Sequence, residues 1–276
     1  MTNIAICAPA TPITREQQAA MEALVAAEFP GHRLTFHDQC FERAGHFAGD
    51  DLRRLSALLE FANDPAFDVV WFAKGGYGSN RIAEAAVAQM NSAARTKTYI
   101  GFSDAGYLLA ALYRDRIGQC VHGSMPVSAR SDGGKEAIRR VLRWLQGDTS
   151  GLEPSLDGTT PAAAFNLITL AMIAGTPMMP DLTGHVLMVE EVAEHMYSID
   201  RLFFHLAGTM PRLAGLRLGF ITDVPENYVE FGQSEEDIAR FWCDRMGVPY
   251  LGRAKIGHTS ANRVVPFGLA SPPSRT

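Results

Sequence analysis

Cysteine is scarce and scattered in this sequence. The chain has four, Cys7, Cys40, Cys120 and Cys243, with no C-x-x-C pair and no tight Cys/His grouping of the kind a zinc site uses. No metal and no cofactor are expected, and a reducing compartment fits best. A basic surplus is lacking as well. Lys and Arg number 25 against 30 Asp and Glu, a formal net charge of -5. No global positive field gathers phosphate backbones, so nucleic acid is not an expected partner. Long apolar runs are also missing. The most apolar window, Phe165 to Pro180, is interrupted by Gly175 and Pro177 and falls short of the roughly 20 residues a membrane helix requires. The opening MTNIAICAPATPIT has no basic segment ahead of its short apolar run, which argues against a secretory signal. A cytoplasmic protein with no membrane partner is the expectation.

What the chain does have is enough apolar material for a real core: 47% hydrophobic and 20% charged residues in a length of 276. At roughly 100 to 200 residues per domain, that length predicts one large or two modest domains. Short β-branched or aromatic runs alternate with stretches of helical period in the first half. "NIAICAPA", "RLTFHD", "DVVWFAKGG", "TYIGFS" and "QCVHGS" read as strands; "TREQQAAMEALVAAEF" and "GDDLRRLSALLEFAND" read as helices. Runs apolar on both faces, such as Val69 to Ala73, suit a buried parallel sheet. After "RRVLRWLQGD" the segment "TSGLEPSLDGTTPAAA" concentrates Gly, Pro, Ser and Thr. The expectation is an α/β fold, with a parallel-sheet, flavodoxin-like domain over residues 1–147, a linker over 148–162 and a second, mixed α/β domain over 163–276. In that second domain an apolar helix-like segment begins at Phe165. "GHVLMVEEV" and "LRLGFITDV" read as strands, "SIDRLFFHLAG" and "SEEDIARFWCDRMG" as helices, and a last strand ends near Lys255.

Ligands of parallel α/β sheets bind beyond the carboxyl ends of the strands. Three segments place unusual residues there, "AKGGYGSNR", "GFSDAG" and "VHGSMP", and they should cluster. Ser103 stands where a strand stops and the helix "AGYLLAALY" begins. A hydroxyl there projects from a tight turn toward backbone N–H groups, which suits a nucleophile. The same position suits a helix cap, the commoner role for Ser or Asp at such a junction. The G-x-S-x-G elbow is matched only in part, since Ala105 stands where the second Gly belongs. In "KGGYG", Lys74 to Gly78, bare backbone is able to approach a ligand and donate N–H groups to an anion. It fits neither the phosphate-loop nor the dinucleotide spacing.

A serine nucleophile needs a base, and the base an orienting carboxylate. Of the eight histidines, His122 at a strand tip is a candidate ligand contact, and His258, after a Gly that follows a strand, is able to swing into a cleft. Glu190 and Glu191 end an apolar strand. Alternation predicts one facing inward and one outward, and an inward carboxylate calls for a partner such as histidine.

In this order and at these separations, "KGGYG", "IGFSD", "HGSMP", "GTPMMP", "VEEVAEHMYSIDR" and "GH" followed by "VVPFG" resemble the L,D-carboxypeptidase family of serine peptidases. That family includes murein tetrapeptide carboxypeptidases and hydrolases conferring resistance to a peptidyl-nucleotide antibiotic. The resemblance spans nearly the whole chain. It implies a Ser-His-Glu triad of Ser103, His258 and Glu190, with an oxyanion hole formed by the amide of Asp104 and one from Gly75 or Gly76. It further implies a small peptide substrate, a cell-wall peptide cut before a terminal D-alanine, and a homodimer. Lys74, Tyr77 and His122 are the candidate substrate contacts, Lys74 for a free carboxylate. Two departures bear on substrate: the family commonly has Arg at the place of Lys74, and Gly-Gly-Asn-Leu where this chain reads "AAAFNL". Phe165 is therefore expected to narrow the cleft or alter its closing. An amidase acting on a peptidyl-nucleotide conjugate and a non-catalytic binding module are the alternative readings.

Overall fold

The structure, a computed structural model, describes residues 1–270. The first strands are apolar on successive residues because both faces of their sheet are covered. In β1 (Thr2–Cys7), Ile4 and Ile6 face one core while Ala5 and Cys7 face another. In β3 (Val69–Phe72), Val69 and Trp71 divide from Val70 and Phe72 in the same way. With β2 (His32–Phe36), β4 (Thr98–Gly101) and β5 (Gln119–His122), these strands pair in parallel in the order β2-β1-β3-β4-β5. That is the doubly wound, flavodoxin-type order.

Helices α1 (Arg15–Glu28) and α5 (Gly134–Leu145) cover one face; α2 (Asp51–Asn63), α3 (Ala83–Val87) and α4 (Gly106–Arg114) cover the other. Their starts are chemically marked. Thr14 and Gln17 close a capping box on α1, and Asp50 accepts from the Arg53 amide at 2.8 Å to open α2.

A second sheet, parallel throughout, is ordered β6-β7-β8-β9, from Ala162–Asn166, Val186–Val192, Gly215–Thr222 and Tyr250–Arg253. Its connections are α6 (Leu167–Ile173), α7 (Met196–Thr209) and α8 (Glu235–Met246). The chain then returns: β10 (Val265–Pro266) pairs antiparallel with β5 in the first sheet. One continuous apolar core joins α4 and the first sheet to α6, α7 and the second sheet.

Three sequence expectations change here. Residues 162–166 are a strand rather than the end of a linker and the start of a helix. An alanine-rich run has weak strand propensity, but all five residues are buried, and parallel pairing with β7 overrides that preference. Phe165 does not narrow a cleft. Its side chain is buried, 5.0 Å from the Phe267 ring, and packs beside Gly106 at the start of α4. Glu191 is not the solvated partner of a buried Glu190, for both are buried. The outward face of β7 is covered by α6, and Glu191 accepts from Asn166 Nδ2 and the Ile168 amide, each at 2.7 Å, and from the Val192 amide at 2.9 Å.

Two outcomes follow from this packing. Phe165→Ala is expected to lower stability by about 3 to 5 kcal/mol in urea denaturation, with substrate KM unchanged; a loss under about 1 kcal/mol would place the ring outside the core. Burial raises Glu191 from 4.5 to about 7, against the opposing bonds from Val192, Asn166 and Ile168. Between those values the native state keeps a proton the unfolded chain has released, so stability falls as pH rises through that window. Relative to Glu191→Gln, the native protein is expected to lose up to about 3 kcal/mol from pH 4.5 to 7.5; parallel stability curves would show that Glu191 titrates normally.

Candidate active site

Ser103 follows β4 by two residues and opens a short 3-10 turn, Ser103–Ala105, that runs into α4. Its φ of 59° lies in the left-handed region, uncommon for any residue but glycine. The tight strand-to-helix turn has the geometry of the elbows that carry nucleophiles in other α/β folds, built here without the second glycine. The capping role is not realised: the turn has no side-chain cap bond, and the residue ahead of α4 is Ala105. Ser103 itself is only partly buried at the strand tip.

Asp104 is buried and turned away from the elbow's mouth. Its carboxylate accepts from the Gly78 amide at 3.1 Å and the Ser79 amide at 3.0 Å, while the Ser79 hydroxyl donates to its carbonyl. Burial raises its pKa, and the bonds from Ser79 and Gly78 and the charge of Arg54 oppose that rise. The glycine segment is thereby pinned against the elbow. A Cβ on Gly75 would lie 3.3 Å from Ser103 Cβ and 3.4 Å from the Asp104 amide nitrogen. From the other side, Thr11 Oγ1 donates to the Gly75 carbonyl at 2.6 Å. Since a trans peptide sets C=O and N–H in opposite directions, the Gly76 N–H points away from Thr11. Gly76 itself has φ 105°, and a Cβ there would strike Thr11 Cγ2 at 2.7 Å. Arg54, fully buried, closes the support by donating to the Gly78 carbonyl at 2.8 Å and to the Pro9 carbonyl. The segments after β3, β4 and β5 do cluster: the Val127 amide donates to the Ala73 carbonyl at 3.0 Å and the Gly123 amide to the Gly101 carbonyl at 3.1 Å.

The second sheet supplies a carboxylate. Glu190 near the end of β7 has no exposed surface, and its Oε2 lies 2.8 Å from His258 Nδ1. A register shift between β7 and β8 at Val189 and Glu191 marks the place where it is held. Gly257, φ 136°, lets the histidine-bearing loop pass close: a Cβ there would sit 3.3 Å from Glu190 Oε2 and 3.1 Å from Phe220 Cβ. His258 leans on the ring of Phe102, the residue before Ser103, with centroids 4.8 Å apart. Burial lowers the pKa of His258, but the bond to Glu190, its charge, and the charges of Glu191 and Asp223 outweigh burial, leaving it above the ordinary 6.5.

The three candidate substrate contacts are placed unequally. Lys74 is half-buried at the head of the glycine segment and has no ion pair among the described residues. Tyr77 is exposed, its ring 6.2 Å from Phe47 and 6.3 Å from His46. His122 has no accessible surface; its Nε2 meets Asn262 Oδ1 at 2.9 Å, so in this structure it is a buried support. Sequence reasoning passed over Thr11, Arg54, Ser79 and Asn262, and the carboxylate of Asp104. Arg54 reads as a surface charge on a helix, Ser79 and Asp104 sat within segments already singled out, and Asn262 lies four residues after His258. Among the described residues no group of three or more His, Cys, Asp or Glu side chains is arranged to hold a metal ion, and no helix is long and apolar enough to cross a membrane.

The chain is similar to known proteins along nearly its whole length. The LD-carboxypeptidase N-terminal domain matches residues 4–123, and the LD-carboxypeptidase C-terminal domain matches residues 161–271. A protein of Streptomyces coelicolor named as a carboxypeptidase is 30% identical over 289 residues, covering 97% of this chain and 88% of its own. The murein tetrapeptide carboxypeptidase of Pseudomonas aeruginosa is 27% identical over 286 residues, covering 96% of this chain and 91% of its own. In fold, the muramoyltetrapeptide carboxypeptidase of Oxalobacter formigenes superposes with a TM-score of 0.79 at 23% identity, covering 99% of this chain and 96% of that one. MccF in complex with glutamyl sulfamoyl guanosine gives 0.77 at 17%, covering 97% and 91%. With both domains matched in order and a relative at this identity along nearly its full length, the chain belongs to the LD-carboxypeptidase family.

Proposed function

We propose that the protein is a serine-type L,D-carboxypeptidase that removes a C-terminal D-amino acid from murein-derived peptides through a triad of Ser103, His258 and Glu190. The observation that carries this reading is the buried Glu190 carboxylate 2.8 Å from His258 Nδ1, with the imidazole packed on the residue that precedes the elbow serine. A carboxylate on Nδ1 holds the tautomer whose Nε2 is free to accept a proton, and it stabilises the imidazolium that forms. Ser103 Oγ attacks the scissile carbonyl while His258 takes its proton. The developing oxyanion is met by the Asp104 amide and an amide of the Gly75–Gly76 segment, which Thr11 and the Asp104 carboxylate hold rigid. His258 returns the proton to the leaving amine. Water then repeats the sequence on the acyl-enzyme, releasing the shortened peptide and a free amino acid. Lys74 is the cation nearest in sequence to the oxyanion segment and suits the substrate's terminal carboxylate.

Ser103→Ala and His258→Ala are each expected to cut kcat by at least 10⁴-fold on an L,D-tetrapeptide, with free D-alanine measured by mass spectrometry. A fluorophosphonate probe should label Ser103 in the native protein and not in His258→Ala. Turnover of an acyl-sulfamoyl nucleoside without release from the tetrapeptide would transfer the activity to the amidase reading, and absence of labelling in folded protein would favour a binding module. Because the base acts in its neutral form, kcat/KM should rise with pH through a midpoint above 6.5. The charges facing His258 are Glu190, Glu191 and Asp223, with buried His122 nearby. Glu190→Gln should move the midpoint down, and an unmoved midpoint would detach Glu190 from the base.

A further inference from the structure

We infer that Asn262, braced by His122, is a positioning residue that sets where His258 stands. This rests on the triad reading above, since it concerns how the proposed base is held. Asn262 is buried, and its side-chain amide joins two pieces of chain, its own loop and the tip of β5. Its Oδ1 accepts from the Gly257 amide at 3.0 Å and meets His122 Nε2 at 2.9 Å, while its Nδ2 donates to Ser124 Oγ at 3.2 Å. Gly257 immediately precedes His258; His122 and Ser124 stand at the tip of β5 in the first sheet. The loop bearing the base is therefore bolted to the sheet bearing the nucleophile by one side chain.

The chemistry of the donors settles the orientations. A backbone N–H is only a donor, so the Asn262 atom it meets is the oxygen. His122 on that same oxygen must carry its proton on Nε2. Its Nδ1, buried, has no hydrogen-bond partner among the described residues, which leaves the neutral Nε2–H tautomer. Burial lowers the His122 pKa and outweighs the bond to Asn262 and the charge of Glu190, which raise it; the charge of His258 adds to the lowering. A neutral His122 donates to Asn262 without placing a second cation beside the base. Packing completes the clamp. The Phe102 ring packs against both imidazoles, 5.4 Å from His122 and 4.8 Å from His258. From α5, Arg140 donates to the carbonyls of Ser260 at 2.6 Å and Asn262 at 3.1 Å. His258 is thus located from three sides: Glu190 on its ring nitrogen, Phe102 against its ring and Asn262 on the Gly257 amide that immediately precedes it.

The test measures kcat, KM and the rate of fluorophosphonate labelling of Ser103, each per folded protein, in Asn262→Ala, His122→Ala, His122→Gln and Ser103→Ala. Displacement of a reacting group by about 1 Å costs on the order of 10²-fold in rate. Asn262→Ala is expected to lose about 10 to 100-fold in both kcat and labelling rate, with KM within about twofold. His122→Ala should fall in the same direction, and His122→Gln, which keeps an N–H donor toward Asn262, should recover most of the loss. Should Asn262→Ala fail to fold, the His122 pair decides. Unchanged rates in Asn262→Ala, or no advantage of Gln over Ala at position 122, overturns the inference. If Ser103→Ala stays active, the triad fails instead; if it is inactive while Asn262→Ala runs at the native rate, only the positioning role is lost.

Discussion

A carboxylate with no exposed surface is the constraint around which this molecule is arranged. Glu190 is removed from water at a cost of several kcal/mol, which is tolerable only if something inside accepts its charge or shares its hydrogen bond. His258 does so at 2.8 Å. The histidine arrives on a loop from another part of the chain, so the fold must bring that loop in and make room for it. Gly257, the irregular register of β8 beside β7, and the ring of Phe102 are local consequences of that requirement.

The division of labour between two sheets follows from strand polarity. Parallel strands deliver their loops to one end, so the elbow after β4 and the glycine segment after β3 meet without special provision. A carboxylate at the end of β7 belongs to a different sheet and needs a rigid frame to reach them. The frame is the shared apolar core through α4 and α6, together with the antiparallel return of β10 onto β5. That return places residues 256–262 between the sheets. Polar groups then lock the parts. Asp104 and Thr11 hold the glycine segment, Glu191 ties β7 to β6 and α6, and Asn262 ties the histidine loop to β5.

Much of this was legible in residue order. Strands apolar on both faces announced a covered parallel sheet, and the capping residues Thr14, Asp50 and Ser234 marked helix starts. The turn at Ser103 was legible only in part, because the residue fits a helix cap as well as a tight elbow; its positive φ and the missing cap bond separate those two conformations, and a dihedral is not written in residue order. β6 was missed because alanine favours helix, and complete burial between neighbours reverses that preference. Phe165 looked like a cleft residue since the family pattern has glycine there. Its ring turns into the core against Phe267, which lies 102 positions later in the chain.

By itself the sequence determined the α/β alternation, the order of the motif segments and the chemical types at each of them: a serine at a strand tip, glycines beside it, adjacent glutamates at another strand end, a histidine after a glycine. These are local properties, set by side-chain period and backbone freedom. Only the tertiary structure decided that both glutamates are buried, and that His122 faces Asn262 rather than the cleft. Those outcomes depend on which surfaces exclude water when distant segments pack, and burial of a polar group is a property of its surroundings rather than of its own position in the chain.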